Sequence, residues 1–446
     1  MHQYLVKLIK QTYRLAGPQE GRVVMKNVAF LSALQAVTYL LPIIILPYLF
    51  RTLGADKFGL IAFAQAFVQY FLILTDYGFS VSATKEISLC HNDVAKTSRI
   101  YSSVMIVKLC LLFVSALILG VILYCVPKFH VDPLVYIFSF GAVIGNTLFP
   151  VWFFQGEEKM KYIAGLSVIG EIVFIGCIFL FVRERTDYLM VPVITSSVCL
   201  MTGLLGQYIV FRRFKVAFQF PTLHKIKQEL KAGWNVFISI VAINAYTNTR
   251  VFAVGLITNN SMTGYYSIAE KIANVAQTFP LSSFSQAIFP RLSKIFHRNK
   301  ALALRIMHQT QHITILISLI FLPLIFIFAP YIVKLVCGGF YDEVILTLRL
   351  LIISVFFISA NAFRVQFLLV CGMTKTYSKI HITMATLGLP LIILLINTFS
   401  YVGAALATVA IEGGICIITF FIVSKLRYPE IYRLENHPHH KRPSVN

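Results

Sequence analysis

The sequence predicts an all-α membrane protein in which twelve transmembrane helices form two six-helix lobes around a central cavity. Three observations predict it. Hydrophobic types make up 58% of the 446 residues and charged types only 13%, about half the charged share of an average soluble chain. Apolar windows of roughly 20 residues, the length that crosses a hydrocarbon core about 30 Å thick, recur along the whole chain. Polar positions within the second window also reappear, at one constant offset, within the eighth.

The windows fall at 27–50, 59–79, 102–125, 134–154, 163–182, 189–211, 233–257, 263–286, 308–329, 344–371, 379–398 and 401–424, with short connections between them. The Lys and Arg residues sort onto alternate connections. Lys7, Lys10, Arg14, Arg22 and Lys26 share a side with Lys85, Lys96, Arg99, Lys159 and Lys161, with Arg212 to Lys231, with Arg291 to Arg305 and with the C-terminal cations; the other side holds Arg51, Lys57, Lys128, Arg183, Arg185 and Lys334. Basic loops stay in the cytoplasm, so a bacterial inner-membrane location with both termini cytoplasmic is expected. An odd number of spans would scramble this sorting. The expected organisation is a cytoplasmic segment 1–26, an N-terminal lobe 27–211, a basic cytoplasmic linker 212–232, a C-terminal lobe 233–424 and a cytoplasmic tail 425–446. The apolar run after residue 26 is too long for a signal-peptide core, so the first helix is expected to be retained.

The repeat supports two equivalent lobes. Gly59, Ala64, Gln65 and Gln69 match Gly264, Ala269, Glu270 and Asn274 at a single offset, and Gly156, Lys159 and Ile163 match Gly372, Lys375 and Ile380 at a nearly constant one. Transporters built from repeats place their site between the repeats, near the bilayer midplane.

Nine ionisable residues lie within spans: Asp76, Lys108, Glu171, Arg250, Glu270, Lys271, Arg349, Arg364 and Glu412. Each costs about 3 kcal/mol at a helix centre, so together they would cost roughly 25 kcal/mol if all faced lipid. They must snorkel, pair or line a watery interior. Lys108, Asp76 and Arg349 sit near span ends, where snorkelling or local pairing suffices. Arg250, Lys271 and Arg364 lie deeper and are the expected cavity cations. Glu270, Asn274 and Gln277 share a helical face, as do Gln65 and Gln69, and Asn361 lies three residues before Arg364. A cavity lined this way favours an anionic cargo, since arginine grips phosphate oxygens with two parallel hydrogen bonds. Asp76, Glu171, Glu270 and Glu412 could balance those charges or carry a coupled H+ or Na+; no cofactor is expected.

The formal charge of +21 does not imply nucleic acid, because the cations are dispersed between apolar spans instead of being gathered on one soluble face. The eight cysteines have no metal-like or disulfide-framework spacing. His308 and His312 lie four apart without a visible third ligand, and His437, His439 and His440 sit in a polar tail. No GxSxG, Walker A or HExxH motif occurs in a useful context, so the chain is not expected to be an enzyme.

The segment Pro47-Tyr48-Leu49-Phe50-Arg51-Thr52-Leu53-Gly54, with Phe58-Gly59 and the run AFAQAFVQYFLILTDYGFSVSATKEIS from Ala62 to Ser88, resembles the Wzx-type O-antigen and polysaccharide repeat-unit flippases of the polysaccharide transport family. So does PVWFFQGEEKMKY from Pro150 to Tyr162. The resemblance implies a MOP/MATE-like fold of the MOP exporter superfamily, with two six-helix lobes facing a V-shaped cavity. It further implies a cargo of undecaprenyl-diphosphate-linked oligosaccharide, the O-antigen or capsule repeat unit, turned from the cytoplasmic to the periplasmic leaflet by alternating access. The lipid bilayer and other polysaccharide assembly proteins are the implied partners. Arg51, Asp76, Lys85 and Glu86 fall inside the family-like segments, and Arg51 joins Arg250, Lys271 and Arg364 as a candidate cargo-binding cation. The second half carries weaker motifs, so its site residues rest on charge. Three other readings stay open: another MOP-type exporter, for a drug and cation or for a peptidoglycan lipid precursor, a membrane scaffold, which the internal cations disfavour, and a membrane-embedded polysaccharide polymerase or ligase. The short expected periplasmic loops disfavour the last.

Overall fold

A computed structural model describes residues 18–90, 93–278 and 300–435, and every regular element among them is helical. Thirteen helices follow in order: α1 (Pro18–Asp76), α2 (Phe79–Ser88), α3 (Val94–Cys125), α4 (Pro133–Leu148), α5 (Val151–Gly156), α6 (Met160–Phe181), α7 (Met190–Arg213), α8 (Leu223–Thr247), α9 (Thr249–Ile257), α10 (260–278), α11 (Lys300–Cys337), α12 (Asp342–Val370) and α13 (Thr374–Glu435). The expected tail histidines and the end of the eighth window lie outside the described residues.

Eight helical stretches are long and apolar enough to cross a membrane, or nine if the bent pair Val236–Thr247 and Thr249–Ile257 is one span. Two of them, Ile44–Ser88 and Lys375–Lys425, run to 45 and 51 residues, about twice the length one crossing needs. Each is folded in two. Gly54 breaks α1 with φ 73° and ψ 169°, a conformation only glycine adopts without strain. The Phe50 and Phe58 rings then stand 5.4 Å apart, although eight residues of unbroken helix would separate their backbones by about 12 Å. Ser400 breaks α13, and a Cβ on Gly403 would fall 1.9 Å from the Leu395 carbonyl oxygen, so these two arms also double back. With both counted as pairs, the arrangement is consistent with the twelve expected spans.

Several spans are interrupted where the hydropathy pattern gave no warning. Tyr77 and Gly78, at φ 48° and 79°, separate α1 from α2. Pro150 separates α4 from α5, because it pushes Phe149 into an extended conformation. Asn248 marks a 50° bend between α8 and α9. The linker expected over 212–232 is helical at both ends, since α7 runs through Arg213 and α8 begins at Leu223, leaving only 214–222 outside a helix, with Lys215 turning the chain at φ 54°. That strap is pinned to α3 by hydrogen bonds from Ala217 N to Ser98 Oγ (3.0 Å) and from Gln219 N to Ser102 Oγ (2.9 Å).

The two lobes touch most closely at the end of the bundle where Gly54 turns the chain. A Cβ on Gly59 would lie 1.8 Å from the Asn260 carbonyl oxygen, and one on Gly264 would lie 2.1 Å from that of Ala55. The offset that relates Gly59 to Gly264 also relates Ala55 to Asn260, so each contact is the repeat image of the other. Lys128 Nζ donates to the Thr258 carbonyl at 2.9 Å, and Phe252 of α9 stacks on Phe63 and Phe67 of α1 at 5.3 and 5.8 Å. At the linker end, Tyr77 stacks on Phe237 of α8 at 4.7 Å.

Beside that second contact, Lys225 of α8 reaches Glu229 at 3.0 Å and Glu86 of the opposite lobe at 3.8 Å. Burial first, then repulsion from Glu86, raises the Glu229 carboxyl above the usual range, and Lys225 opposes the shift. Lys225→Ala removes the counter-ion of a side chain only 1% exposed and should lower folding stability by about 3 kcal/mol at neutral pH. A carboxyl whose folded pKa is raised holds its proton longer in the folded than in the unfolded state, so stability falls as pH rises through that window. The deficit of the variant in a thermal melt should therefore shrink toward acid pH, and Glu229→Gln in the same background should restore stability.

Candidate functional site

The interior charges gather mainly in the C-terminal lobe. The bend at Asn248 puts Arg250 on the first turn of α9, where its backbone can approach both α10 and α13. Its Nε donates to the Thr247 carbonyl at 3.0 Å, its Nη1 to Thr408 Oγ1 at 3.0 Å, and Glu270 Oε1 of α10 lies 3.7 Å away. The side chains of Arg250 and Glu270 are only 15% and 18% exposed. Tyr266, one turn before Glu270, donates its hydroxyl to the same carboxylate oxygen at 3.4 Å. Glu412 of α13 is within electrostatic reach of Arg250.

Thr408, Glu412, Cys416 and Phe420 recur every four residues on the second arm of α13 and so share one face. Arg250 meets this stripe at Thr408. Arg364 of α12 meets it further along, donating to Cys416 Sγ at 3.7 Å with its guanidinium 5.2 Å from the centre of the Phe420 ring. On the first arm, His381 shares a 2.7 Å hydrogen bond with the Tyr246 hydroxyl.

Lys271 differs from both arginines. It is half-buried beside Glu270, yet it makes no hydrogen bond and no ion pair among the described residues. Asn274, exposed, and Gln277, half-buried, continue its side of α10, while Ala269, Ala273 and Ala276 turn into the core. In the other lobe Gln65 is exposed and Gln69 half-buried, and neither side chain is hydrogen-bonded among the described residues. Both polar faces start about two turns beyond the Gly59 and Gly264 crossing, on the two helices that meet there.

The remaining candidates lie elsewhere. Arg51 is exposed and donates to the Leu335 and Val336 carbonyls, the latter at 3.2 Å, so it caps the end of α11 instead of facing an interior hollow. Asn361 is buried between helices, accepting from Thr419 of α13. Asp76 accepts from Ser80 Oγ at 3.0 Å and faces the buried Lys108 electrostatically. Glu171 is half-buried near Cys199 of α7. Arg349 donates to the Phe326 carbonyl at 3.3 Å. His312 Nδ1 lies 2.7 Å from the His308 carbonyl, and no group of three metal-ligating side chains forms among the described residues. Tyr266, Thr408 and Tyr246 join the charged cluster without having been singled out in the sequence. Their signal was available in part: Tyr266 precedes Glu270 by four residues, and Thr408 precedes Glu412 by four.

Two repeat-related helical lobes, in backbone contact at the Gly54 end and stacked on each other at the linker end, with polar faces between the two contacts, define a polytopic membrane transporter. The chain belongs to the polysaccharide biosynthesis protein family, whose sequence profile matches residues 24–296. It is 31% identical over 404 residues to a protein of Escherichia coli (strain K12) named "Putative O-antigen transporter", covering 90% of this chain and 96% of that one. Its fold is similar to the inward-facing conformation of a multidrug resistance MATE family transporter of the MOP superfamily, with a TM-score of 0.72 at 15% identity over 88% of this chain and 96% of that one. It is also similar to the lipid II flippase MurJ in an inward closed conformation, with a TM-score of 0.69 at 14% identity over 89% and 87% of the two chains. The expected MOP/MATE-like architecture is thereby established.

Proposed function

We propose that this protein is an inner-membrane flippase, not an enzyme, and that it turns an undecaprenyl-diphosphate-linked oligosaccharide from the cytoplasmic to the periplasmic leaflet. The cargo class follows from the full-length likeness to a protein named for O-antigen transport. The orientation follows from the basic loops, which put the linker end in the cytoplasm and the Gly54 end in the periplasm. The observation that carries the mechanism is the repeat-symmetric crossing of Ala55 and Gly59 with Asn260 and Gly264. It is a closure of one end built from small residues, of the kind that rocking lobes can open and remake.

The obstacle to flipping is the head group, because sugar hydroxyls and a diphosphate cannot enter hydrocarbon unescorted. Among the described residues the Lys271 ammonium makes no hydrogen bond or ion pair and so is open to an incoming diphosphate, whereas Arg250 and Arg364 already hold protein partners. Arg250 therefore acts by keeping Glu270 beside Lys271. Gln65, Gln69, Asn274 and Gln277, whose side chains make no hydrogen bond among the described residues, offer donors and acceptors to sugar hydroxyls. Glu270 and Glu412 are the carboxylates placed to couple the lobe's movement to H+ or Na+, since both lie within electrostatic reach of Arg250.

Deleting the gene and labelling lipid-linked sugars tests the reading. Complete repeat units should accumulate on the cytoplasmic leaflet, and surface polysaccharide should fall. Normal flipping of units that merely fail to polymerise would favour a polymerase or ligase, and a change in drug susceptibility alone would favour a drug exporter.

A further inference from the structure

We propose that the outer rim of the N-terminal lobe at the linker end is a binding surface for acidic phospholipid headgroups, separate from the cargo path. Two exposed cations converge on one ring there. Lys161 Nζ lies 5.3 Å and the Arg213 guanidinium 5.9 Å from the centre of Tyr162, whose other neighbours include Phe214 at 5.9 Å. Lys159, Arg212 and Lys215 are exposed on the same two segments, and none of these five cations forms an ion pair among the described residues. The nearest carboxylates in sequence, Glu157 and Glu158, leave an excess of positive charge. Exposed cations gathered on these two segments without internal counter-ions attract anions from outside, and a phosphate between them would satisfy several at once.

The strap beside this cluster indicates that the anion is a lipid headgroup. Its backbone is fixed to the first turns of α3 through Ser98 and Ser102, and Val216 is buried. Phe218 and Phe220 nevertheless stand 46% and 88% exposed with their rings 5.4 Å apart, and Leu223 follows, also exposed. Ser98 and Ser102 lie at the end of α3 where its apolar run begins, and α7 ends at Arg213, so the strap sits at the level where hydrocarbon gives way to headgroups. Aromatic rings on the acyl side of that level and arginine or lysine on the phosphate side is the arrangement of an interfacial anchor. A negatively charged leaflet strengthens it by roughly 1 kcal/mol per cation, about five-fold in binding. The strap joins the lobes, so a lipid held here fixes the joint to the leaflet while the lobes rock.

The test uses the full-length protein in nanodiscs of phosphatidylethanolamine and phosphatidylglycerol, with native mass spectrometry reading the lipids retained. The parent should retain phosphatidylglycerol selectively. R212Q/R213Q/K215Q should lose that selectivity by about 100-fold, and F218S/F220S should lose bound lipid of both kinds. Undiminished selectivity in the triple variant overturns the proposal. Displacement of phosphatidylglycerol by added undecaprenyl diphosphate that is retained by the parent and lost in R212Q/R213Q/K215Q would assign the surface to cargo entry and also overturn it. Displacement of the lipid by inorganic phosphate at equal concentration would show an ion site without lipid character, and would overturn the proposal as well.

Discussion

Gly59→Ala is expected to abolish transport while leaving the protein in the membrane at its normal level. The new methyl group would sit 1.8 Å from the Asn260 carbonyl oxygen and 2.6 Å from the Gly264 amide nitrogen. Both are backbone atoms, so no side chain can swing aside. Overpacking commonly destabilises a packed state by 1 to 3 kcal/mol, and contact with rigid backbone places this case at the upper end, about a 100-fold shift against the closed form. The whole change falls on one contact between lobes, which leaves each lobe free to fold. Surface polysaccharide should drop to the level of the deletion strain. A cysteine at Gln65, beyond the crossing, should react faster with an impermeant maleimide added from the periplasmic side in the Gly59→Ala background. Gly264→Ala should behave alike, since its methyl would lie 2.1 Å from the Ala55 carbonyl oxygen. The double variant should add little, because both substitutions open one closure. Unchanged labelling in either variant would show that the crossing is not a gate.

Arg250→Ala and Lys271→Ala should fail in different ways although the two residues flank the same carboxylate. Removing Arg250 strips Glu270 of its ion pair and leaves Thr408 without its donor. Breaking a buried pair from one side costs about 3 to 5 kcal/mol, so the amount of folded protein in the membrane should fall sharply. Glu270→Gln in the same background should recover much of it. Removing Lys271 breaks no hydrogen bond or ion pair among the described residues. Protein levels should then stay normal while surface polysaccharide is lost, and Lys271→Arg should restore transport in part by returning the charge. Equal losses of abundance would make Lys271 structural, and full transport in Lys271→Ala would remove it from the cargo path.

Much of the fold was legible in the sequence because the bilayer imposes a coarse rule. Apolar windows of about 20 residues and alternating basic loops gave the spans, and the constant offset between Gly59 and Gly264 anticipated two glycines that the structure brings together. The interruptions were not legible. Hydropathy averages over a window, so it is blind to a left-handed Gly78 or a bent Asn248, which change direction without changing polarity. The charged cluster was half legible. Arg250, Glu270 and Glu412 stood out as charges in lipid, but Thr408 and Tyr266 are ordinary membrane residues until the bend at Asn248 turns Arg250 toward them. Arg51 and Asn361 show the converse. Their chemistry suits a cavity, yet tertiary packing assigns Arg51 to helix-end carbonyls and Asn361 to a neighbouring threonine.

Purified protein in sealed vesicles, held under an imposed H+ or Na+ gradient and supplied with an undecaprenyl-diphosphate-linked oligosaccharide carrying a label that a vesicle-impermeant reagent destroys, measures flipping without any other cellular component. With the parent protein the whole labelled pool should become destructible over time, whereas with Lys271→Ala or Gly59→Ala only the outer-leaflet half should be lost. Vesicles that contain the parent protein and still protect half of the label indefinitely would contradict the account.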